Sequence, residues 1–170
     1  MAMRLGVVAP KEKIVDNEFF DDDDYEMDSP EAVLRCAVAV ACCDGEFAYD
    51  EQDKVRSVYA DICQEMTFAY NRPDVSDDYE KISKTTAEFV LTLDDGQKRD
   101  DYITYCGESI TDKDLRELTL VMALRVAGAD AELAKAEFRA LKKLASRWEM
   151  RLSDILAPYL AIMHEARSRS

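Results

Sequence analysis

The chain has 170 residues, which fits about one domain with a hydrophobic core of its own. Only 5 glycines and 4 prolines are present, and this composition favours helices over a sheet with many turns. The formal net charge of −14 repels phosphate backbones and anionic lipid headgroups, so we expect no nucleic acid partner. No apolar stretch approaches the ~20 residues that a membrane span needs, so we expect no membrane insertion.

The first 28 residues are marked by a run of acidic side chains. Asp21 to Asp24 follow Phe19 and Phe20, and further carboxylates lie on both sides of them. A block of like charge with little apolar surface is usually solvated and mobile. We therefore expect residues 1–28 to form a flexible segment and residues 29–170 to form the folded domain. No signal peptide is predicted at the start.

The first two helices are predicted to form a hairpin around an acidic turn. Ser29-Pro30-Glu31 supplies an N-cap hydroxyl, a proline at the first helical position and an acid in the first turn. This helix is expected to end at Asp44-Gly45. Asp50 is expected to cap the second helix, with Asp53 at the capping-box position. The apolar residues of the second helix keep helical spacing as far as Met66.

Five more helices are predicted after a break at Pro73. The third is expected to start at Ser76, and the fourth to follow the turn that ends at Gly96. Thr111 is expected to cap the fifth helix, with Asp114 at the capping-box position.

The last two helices complete the pattern. The sixth carries Trp148 on its apolar side, and Ser153 is expected to open the seventh. Pro158 removes a backbone donor from that helix, so we expect the helix either to kink or to start later. The sequence therefore predicts an all-α fold, a compact bundle of about seven helices.

The bundle contains a duplicated helix–turn–helix unit. One constant shift along the chain aligns the acidic residues of two turns: Asp44 with Asp130, Glu46 with Glu132, and Glu51 with Glu137. The same shift aligns apolar residues of the flanking helices, for example Leu34 with Leu120. We therefore expect two similar hairpins that pack against each other.

Two interpretations of these six acidic residues stay open. They can be helix caps, each worth ~0.3–1 kcal/mol at the positive end of a helix dipole. Alternatively they can bind a metal, because the same three acids recur with identical spacing. Oxygen ligands alone would select Ca²⁺, Mg²⁺ or Mn²⁺ over zinc, and water would have to complete the coordination shell.

Other kinds of site have little support in the sequence. The turn at Asp44 lacks the first ligands of a calcium EF-hand loop, because Val40 and Cys42 stand at those positions. The single histidine, His164, has no nucleophile motif around it and is expected at the surface. The odd count of 5 cysteines, with no CxxC pair, indicates reduced thiols that pack in the core of a cytoplasmic protein.

The repeated turns resemble those of the TerB-like family of tellurite-resistance proteins. In that family an apolar helix ends in an AADG turn, a glutamate follows at the start of the next helix, and a second copy occurs near the C-terminus. Asp44, Gly45 and Glu51 match the first turn, and Asp130 and Glu137 match the second, where Ala131 replaces the glycine. The resemblance covers roughly residues 30–160. It implies a helical bundle of the bacterial cytoplasm that takes part in tellurite resistance or stress response, and a scaffold whose acidic turns hold a metal.

Three functions are compatible with these observations. The first is a non-enzymatic TerB-like domain that binds protein partners and divalent cations. The second is a plain protein-interaction module in which the acids only cap helices. The third, a metal-dependent hydrolase, is the remotest, because the sequence offers no candidate base beyond the same carboxylates. Tellurite is an anion that the acidic surface repels, so we do not expect it to bind directly.

Overall fold

A computed structural model describes residues 26–70, 79–129 and 133–169. These residues form seven α-helices and no strand, which confirms the all-α prediction. The helices are α1 (Pro30–Ala41), α2 (Tyr49–Tyr70), α3 (Tyr79–Thr92), α4 (Gly96–Glu108), α5 (Lys113–Ala127), α6 (Lys135–Arg147) and α7 (Leu152–Arg169). In this part of the chain, no helix is long and apolar enough to cross a membrane.

Helix α1 is the centre of the core. Every one of its residues except Glu31 is buried, and it packs against the five helices α2 to α6. Its N-terminus is closed as predicted, because the Ser29 hydroxyl accepts a hydrogen bond of 3.1 Å from the Ala32 N–H. A helix surrounded on nearly all sides must be largely apolar, which explains the run of alanine, valine and cysteine from Cys36 to Ala41. The one buried charge of α1, Arg35, donates a hydrogen bond of 3.0 Å from its Nη2 to the Ser109 hydroxyl.

The two repeated hairpins, α1–α2 and α5–α6, pack against each other. Helix α1 lies on its counterpart α5, and the crossed pairs α2 with α5 and α1 with α6 are also in contact. This confirms the expected packing of the two copies. Helices α3 and α4, which lie between the copies in sequence, cover other sides of α1.

Two helix starts differ from their prediction. The prediction that Asp50 caps α2 is wrong: α2 begins at Tyr49, and the Ala48 carbonyl accepts the first helical hydrogen bond, from Gln52. Helix α5 is capped by Asp112, whose carboxylate accepts the N–H groups of Asp114 and Leu115. The residue before α2, Ala48, has no side chain that can cap, and at α5 the two possible caps Thr111 and Asp112 are adjacent. Spacing alone therefore does not select the first residue of either helix.

The predicted first residue of α3 cannot be compared with the structure, whereas that of α7 differs by one residue. The predicted start of α3 at Ser76 lies outside the described residues, and the described helix begins at Tyr79. Helix α7 begins at Leu152, one residue before the predicted Ser153, and runs through the exposed Pro158. The alternative of a later start is therefore wrong. Pro158 has no N–H to donate to the carbonyl of Asp154, one turn earlier, and both residues are exposed.

The N-terminal boundary of the described fold includes Asp28. Residues 1–25 lie outside the described part, so their expected flexibility stays a prediction. The Asp28 carboxylate accepts hydrogen bonds from the N–H groups of Thr111 (2.7 Å) and Asp112 (3.2 Å) and from the Thr111 hydroxyl. Its N–H donates to the Ser109 carbonyl at 2.9 Å. A domain boundary at residue 29 would cut these contacts to the start of α5.

Candidate functional site

Glu51 and Glu137 occupy the same position in the two copies. Each is the third residue of its helix, and each turns back to the N–H of the residue before that helix. Glu51 Oε2 accepts from the Ala48 N–H and Glu137 Oε2 accepts from the Ala134 N–H, both at 2.6 Å. Since alanine has no side-chain acceptor, only the glutamate half of a capping box forms at each helix.

The two glutamates meet in the interior. Their side chains are hydrogen-bonded to each other, and they are only 6% (Glu51) and 3% (Glu137) exposed. Each carboxyl also accepts a backbone N–H of its own copy through Oε2. Two carboxylates at hydrogen-bond distance must share a proton, because two like charges in a buried place repel strongly.

Burial raises the pKa of Glu137 to about 8, and the neighbouring Glu51 and Asp44 carboxylates push it in the same direction. The hydrogen bond from the Ala134 N–H opposes this shift, because it favours the charged form. At neutral pH the pair therefore holds one proton and one negative charge. The charged partner is stabilised by the helix N-termini.

The remaining acids of the first turn face solvent. Asp44 is exposed, and its Oδ1 accepts the Glu46 N–H at 3.0 Å, which closes a local turn. Glu46 is also exposed. The Arg99 side chain lies against this turn: a Cβ added at Gly45 would come within 3.0 Å of its Nη1. A cation from α4 thus already stands beside the first acidic turn.

The six predicted metal ligands therefore have three outcomes. Glu51 and Glu137 come together, across the two copies and not within one turn. Asp44 stands close enough to affect Glu137, while Glu46 points to solvent. Asp130 and Glu132 lie outside the described residues. Within the described ranges, no three side chains of His, Cys, Asp or Glu are grouped so as to hold a metal ion.

The carboxyl groups of Glu51 and Glu137 could supply only some of the ligands that a divalent cation needs. Two carboxylates supply hard oxygen ligands of the kind that Ca²⁺, Mg²⁺ and Mn²⁺ prefer. One oxygen of each already accepts a backbone N–H, and both side chains are buried, so water has little access. A cation would have to displace the shared proton and recruit Asp44 or another oxygen.

The neighbouring thiols are unsuited to metal binding. Cys42 and Cys43 are free and buried, as predicted for packing residues. Burial raises the pKa of both, that of Cys43 to about 12, and the nearby carboxylates add to the shift. With raised pKa values, these cysteines stay protonated at neutral pH. Because metals bind the thiolate form, the two thiols are poor ligands. Trp148 is buried at 8% exposure, which confirms its prediction as a core residue.

A groove on another face of the bundle runs between α2, α5 and α7. Its volume is about 1060 Å³. Its apolar lining includes Met66 of α2, Leu118 and Val121 of α5, and Ile155 and Tyr159 of α7. Tyr159 is 36% exposed, and Leu118 and Ile155 are partly buried against the core. The groove therefore offers water-accessible apolar surface beside a closed core.

The sides of this groove are acidic. Five carboxylates line it, against the two cations Lys54 and Arg125: Asp61, Glu65, Asp114, Glu117 and Asp154. Arg125 is already paired with Asp61, at 2.6 Å between Nη1 and Oδ2. The other four carboxylates form no ion pair with any described residue.

Sequence reasoning did not identify this groove. Leu118 and Tyr159 fall on the apolar stripes of their helices, and such stripes are normally assigned to the core. The one available signal is that the stripe of α5 is bordered by Asp114 and Glu117, which places charge beside an apolar face.

Comparisons with protein-family models, curated proteins and solved structures found no match to this chain. The resemblance to the TerB-like family therefore stays a prediction that is carried by the two acidic turns.

Proposed function

We propose that this chain is a non-enzymatic binding domain that holds a protein partner in the groove between α2, α5 and α7. The observation that carries the proposal is the combination of accessible apolar surface, such as Leu118 and Tyr159, with a rim of five carboxylates, four of which have no ion-pair partner among the described residues. An apolar floor with a polar rim is the usual anatomy of a protein interface.

The resemblance of the acidic turns supports a cellular setting for this role. A TerB-like domain would act in the bacterial cytoplasm, in tellurite resistance or another stress response, as a scaffold and not as a catalyst. Glu137, whose pKa is raised by burial, supports a role without catalysis, because it is closed inside the bundle and does not line the groove. A catalytic acid has to reach its substrate.

Site-specific photo-crosslinking in the native host tests the proposal. A photoreactive amino acid replaces Leu118 in the groove or, as the control, Leu91, which is 40% exposed on α3. We expect a discrete protein adduct at position 118 and none at position 91. The adduct partner is then purified and titrated against Leu118→Glu and Leu91→Glu, and only the first should weaken binding. Equal adducts at both positions, or none at 118, would reject the proposal.

Divalent cation binding is a second candidate, favoured by one observation: the carboxyls of Glu51 and Glu137, from equivalent turns, meet at one point. In this proposal Ca²⁺, Mg²⁺ or Mn²⁺ replaces the shared proton, and Asp44 completes the ligand set together with Asp130 of the second copy. Because the pair holds a proton at neutral pH, binding would release it.

Calorimetry in two buffers of different ionisation enthalpy tests this second candidate. A saturable heat that depends on the buffer, and that disappears in Glu51→Gln with Glu137→Gln, supports a cation site at the pair. Asp44→Asn with Asp130→Asn reports whether the turn acids take part. Equal, non-saturating heats for wild type and both variants would leave Glu51 and Glu137 as helix caps.

A further inference from the structure

We infer that the partner segment bound in the groove is a basic amphipathic α-helix of another protein. This inference rests on the proposed function and names the class of partner. A helix about 10 Å across would fill a groove of about 1060 Å³ over roughly two to three turns. One apolar stripe of such a helix would contact Leu118 and Val121 below it and Ile155 beside it. The three walls α2, α5 and α7 would then surround a fourth helix.

A helix fits this groove better than an extended strand. Strand addition needs a row of unpaired backbone groups at a sheet edge. The walls here are helices, whose backbone groups are satisfied within each helix, and only Gly128 and Ala129, just after α5, line the groove from outside a helix. The groove therefore offers no strand edge and is formed chiefly by side chains. Recognition then depends on apolar anchors spaced at i, i+3, i+4 and i+7 on one face of the partner.

The charge of the rim determines the charge of the partner. After the pairing of Asp61 with Arg125, four carboxylates face one lysine: Glu65, Asp114, Glu117 and Asp154 against Lys54. Lysine or arginine on the flanks of the bound helix would meet these carboxylates, and an acidic helix would be repelled. Nucleic acid is also repelled, because its phosphates carry the same sign as the rim.

The same charge argument disfavours the two occupants available from this chain. A second copy carries a net charge of −14 and would bring its own acidic surface against the rim. The chain's own N-terminal region contains the acidic run Asp21 to Asp24. A foreign basic helix is the occupant whose charge complements the groove.

Three synthetic peptides of roughly 18 residues test the inference on the full chain. The first carries leucines at helical spacing and lysines on its flanks, the second has glutamate in place of every lysine, and the third keeps the lysines and scrambles the leucines. Binding is measured by fluorescence polarisation at low and at physiological salt. We expect the lysine peptide to bind at least about tenfold more tightly than either of the others, with an advantage that shrinks as salt increases.

Two matched double variants place the binding at the groove. Glu117→Lys with Asp154→Lys reverses two exposed rim charges, whereas Asp53→Lys with Glu165→Lys makes the same change of net charge at exposed residues that do not line the groove. The rim variant should lose about tenfold in affinity for the lysine peptide, and the control less than about twofold. Circular dichroism verifies that both variants fold, and if the rim variant does not, Glu117→Gln with Asp154→Asn replaces it.

Several outcomes would overturn the inference. They are equal binding of lysine and glutamate peptides, no binding of any peptide, and an equal loss in both double variants. Dimerisation in sedimentation experiments that Leu118→Glu abolishes would assign the groove to a second copy instead. Binding of the lysine peptide only after removal of residues 1–25 would assign it to the chain's own N-terminal region. If crosslinking at position 118 finds a protein partner while the lysine peptide fails, the proposed function survives and only the partner class is wrong.

Discussion

The carboxyl groups of Glu51 and Glu137 share one buried hydrogen bond at the junction of the two repeated hairpins. Each also accepts the backbone N–H just before its own helix, from Ala48 and Ala134 respectively. One pair of side chains thus closes two helix starts and joins the two copies. Duplication explains how a single acid of each copy arrives at the same point, because equivalent residues meet where two equivalent units face each other.

The stability of the domain should fall as the pH rises from about 5 to about 8. The pKa of Glu137 is about 8 in the folded chain against an ordinary value of 4.5, so between these values the folded chain keeps a proton that the unfolded chain has lost. We expect a loss on the order of 3–4 kcal/mol in the free energy of unfolding across this range, with little further change above it. Urea unfolding at half-unit steps of pH measures it.

The variant Glu137→Gln is the matched control for this titration. A glutamine keeps an acceptor for the Ala134 N–H and supplies a permanent donor to Glu51, so it imitates the protonated carboxyl. It should match wild type near pH 5 and exceed it in stability at pH 8 to 9. If wild type and Glu137→Gln show parallel pH profiles, the pair does not hold the proton.

Gly45→Ala should destabilise the first acidic turn. Gly45 has φ of +96°, which residues with a side chain rarely adopt, and its Cβ would lie 3.0 Å from the Arg99 guanidinium. We expect a loss of about 1–2 kcal/mol in the free energy of unfolding. Gly96→Ala is the control, because nothing lies within 4 Å of that position and its φ is ordinary. A neutral Gly45→Ala would show that this backbone conformation carries no strain for alanine.

Gly107→Ala should destabilise the contact between α4 and α6. Its Cβ would lie 2.9 Å from Leu144 Cδ2 and 3.2 Å from Trp148 Cζ2, both in the core. Overpacking of this kind costs about 1–3 kcal/mol, more than the ~0.5–1 kcal/mol that alanine gains over glycine within a helix. Thermal melting compared with Gly96→Ala isolates the packing effect. A Gly107→Ala protein as stable as wild type would mean that α6 shifts without cost.

The sequence was sufficient for the number of helices because their apolar spacing and caps agree locally. Ser29 caps α1 as predicted, and the duplicated pattern correctly placed the two hairpins in contact. The sequence was insufficient for features that depend on contacts between residues far apart in the chain. The meeting of Glu51 with Glu137 joins distant parts of the chain. The capping-box role that Glu51 plays was assigned to Asp53, because the helix was expected to start two residues later, with Asp50 as its cap. No local rule distinguishes an acid that is buried by a neighbouring helix from one left in water.

The N-terminal end of the fold gives the last prediction. Asp28 has φ of +54° and binds Thr111 and Asp112 at the start of α5. Partial burial acts to raise its pKa, but the hydrogen bonds from these two residues outweigh it and hold the pKa below its ordinary value. The charged form of Asp28 is therefore favoured by folding. This contribution to stability is present above the ordinary pKa of 3.8 and is lost as the pH falls through the lower folded value.

Two shortened chains and one substitution test this contact. A chain that begins at Glu26 keeps Asp28 and should melt close to the full-length protein, whereas a chain that begins at Ser29 should melt at a lower temperature. Asp28→Ala in the full chain should reproduce most of that loss, about 1–2 kcal/mol, because the N–H groups of Thr111 and Asp112 lose their acceptor. Equal melting of the chains that begin at 26 and at 29 would return the boundary to residue 29. A lower melting temperature for the chain that begins at Glu26 than for the full-length protein would show instead that residues 1–25 contribute to the fold.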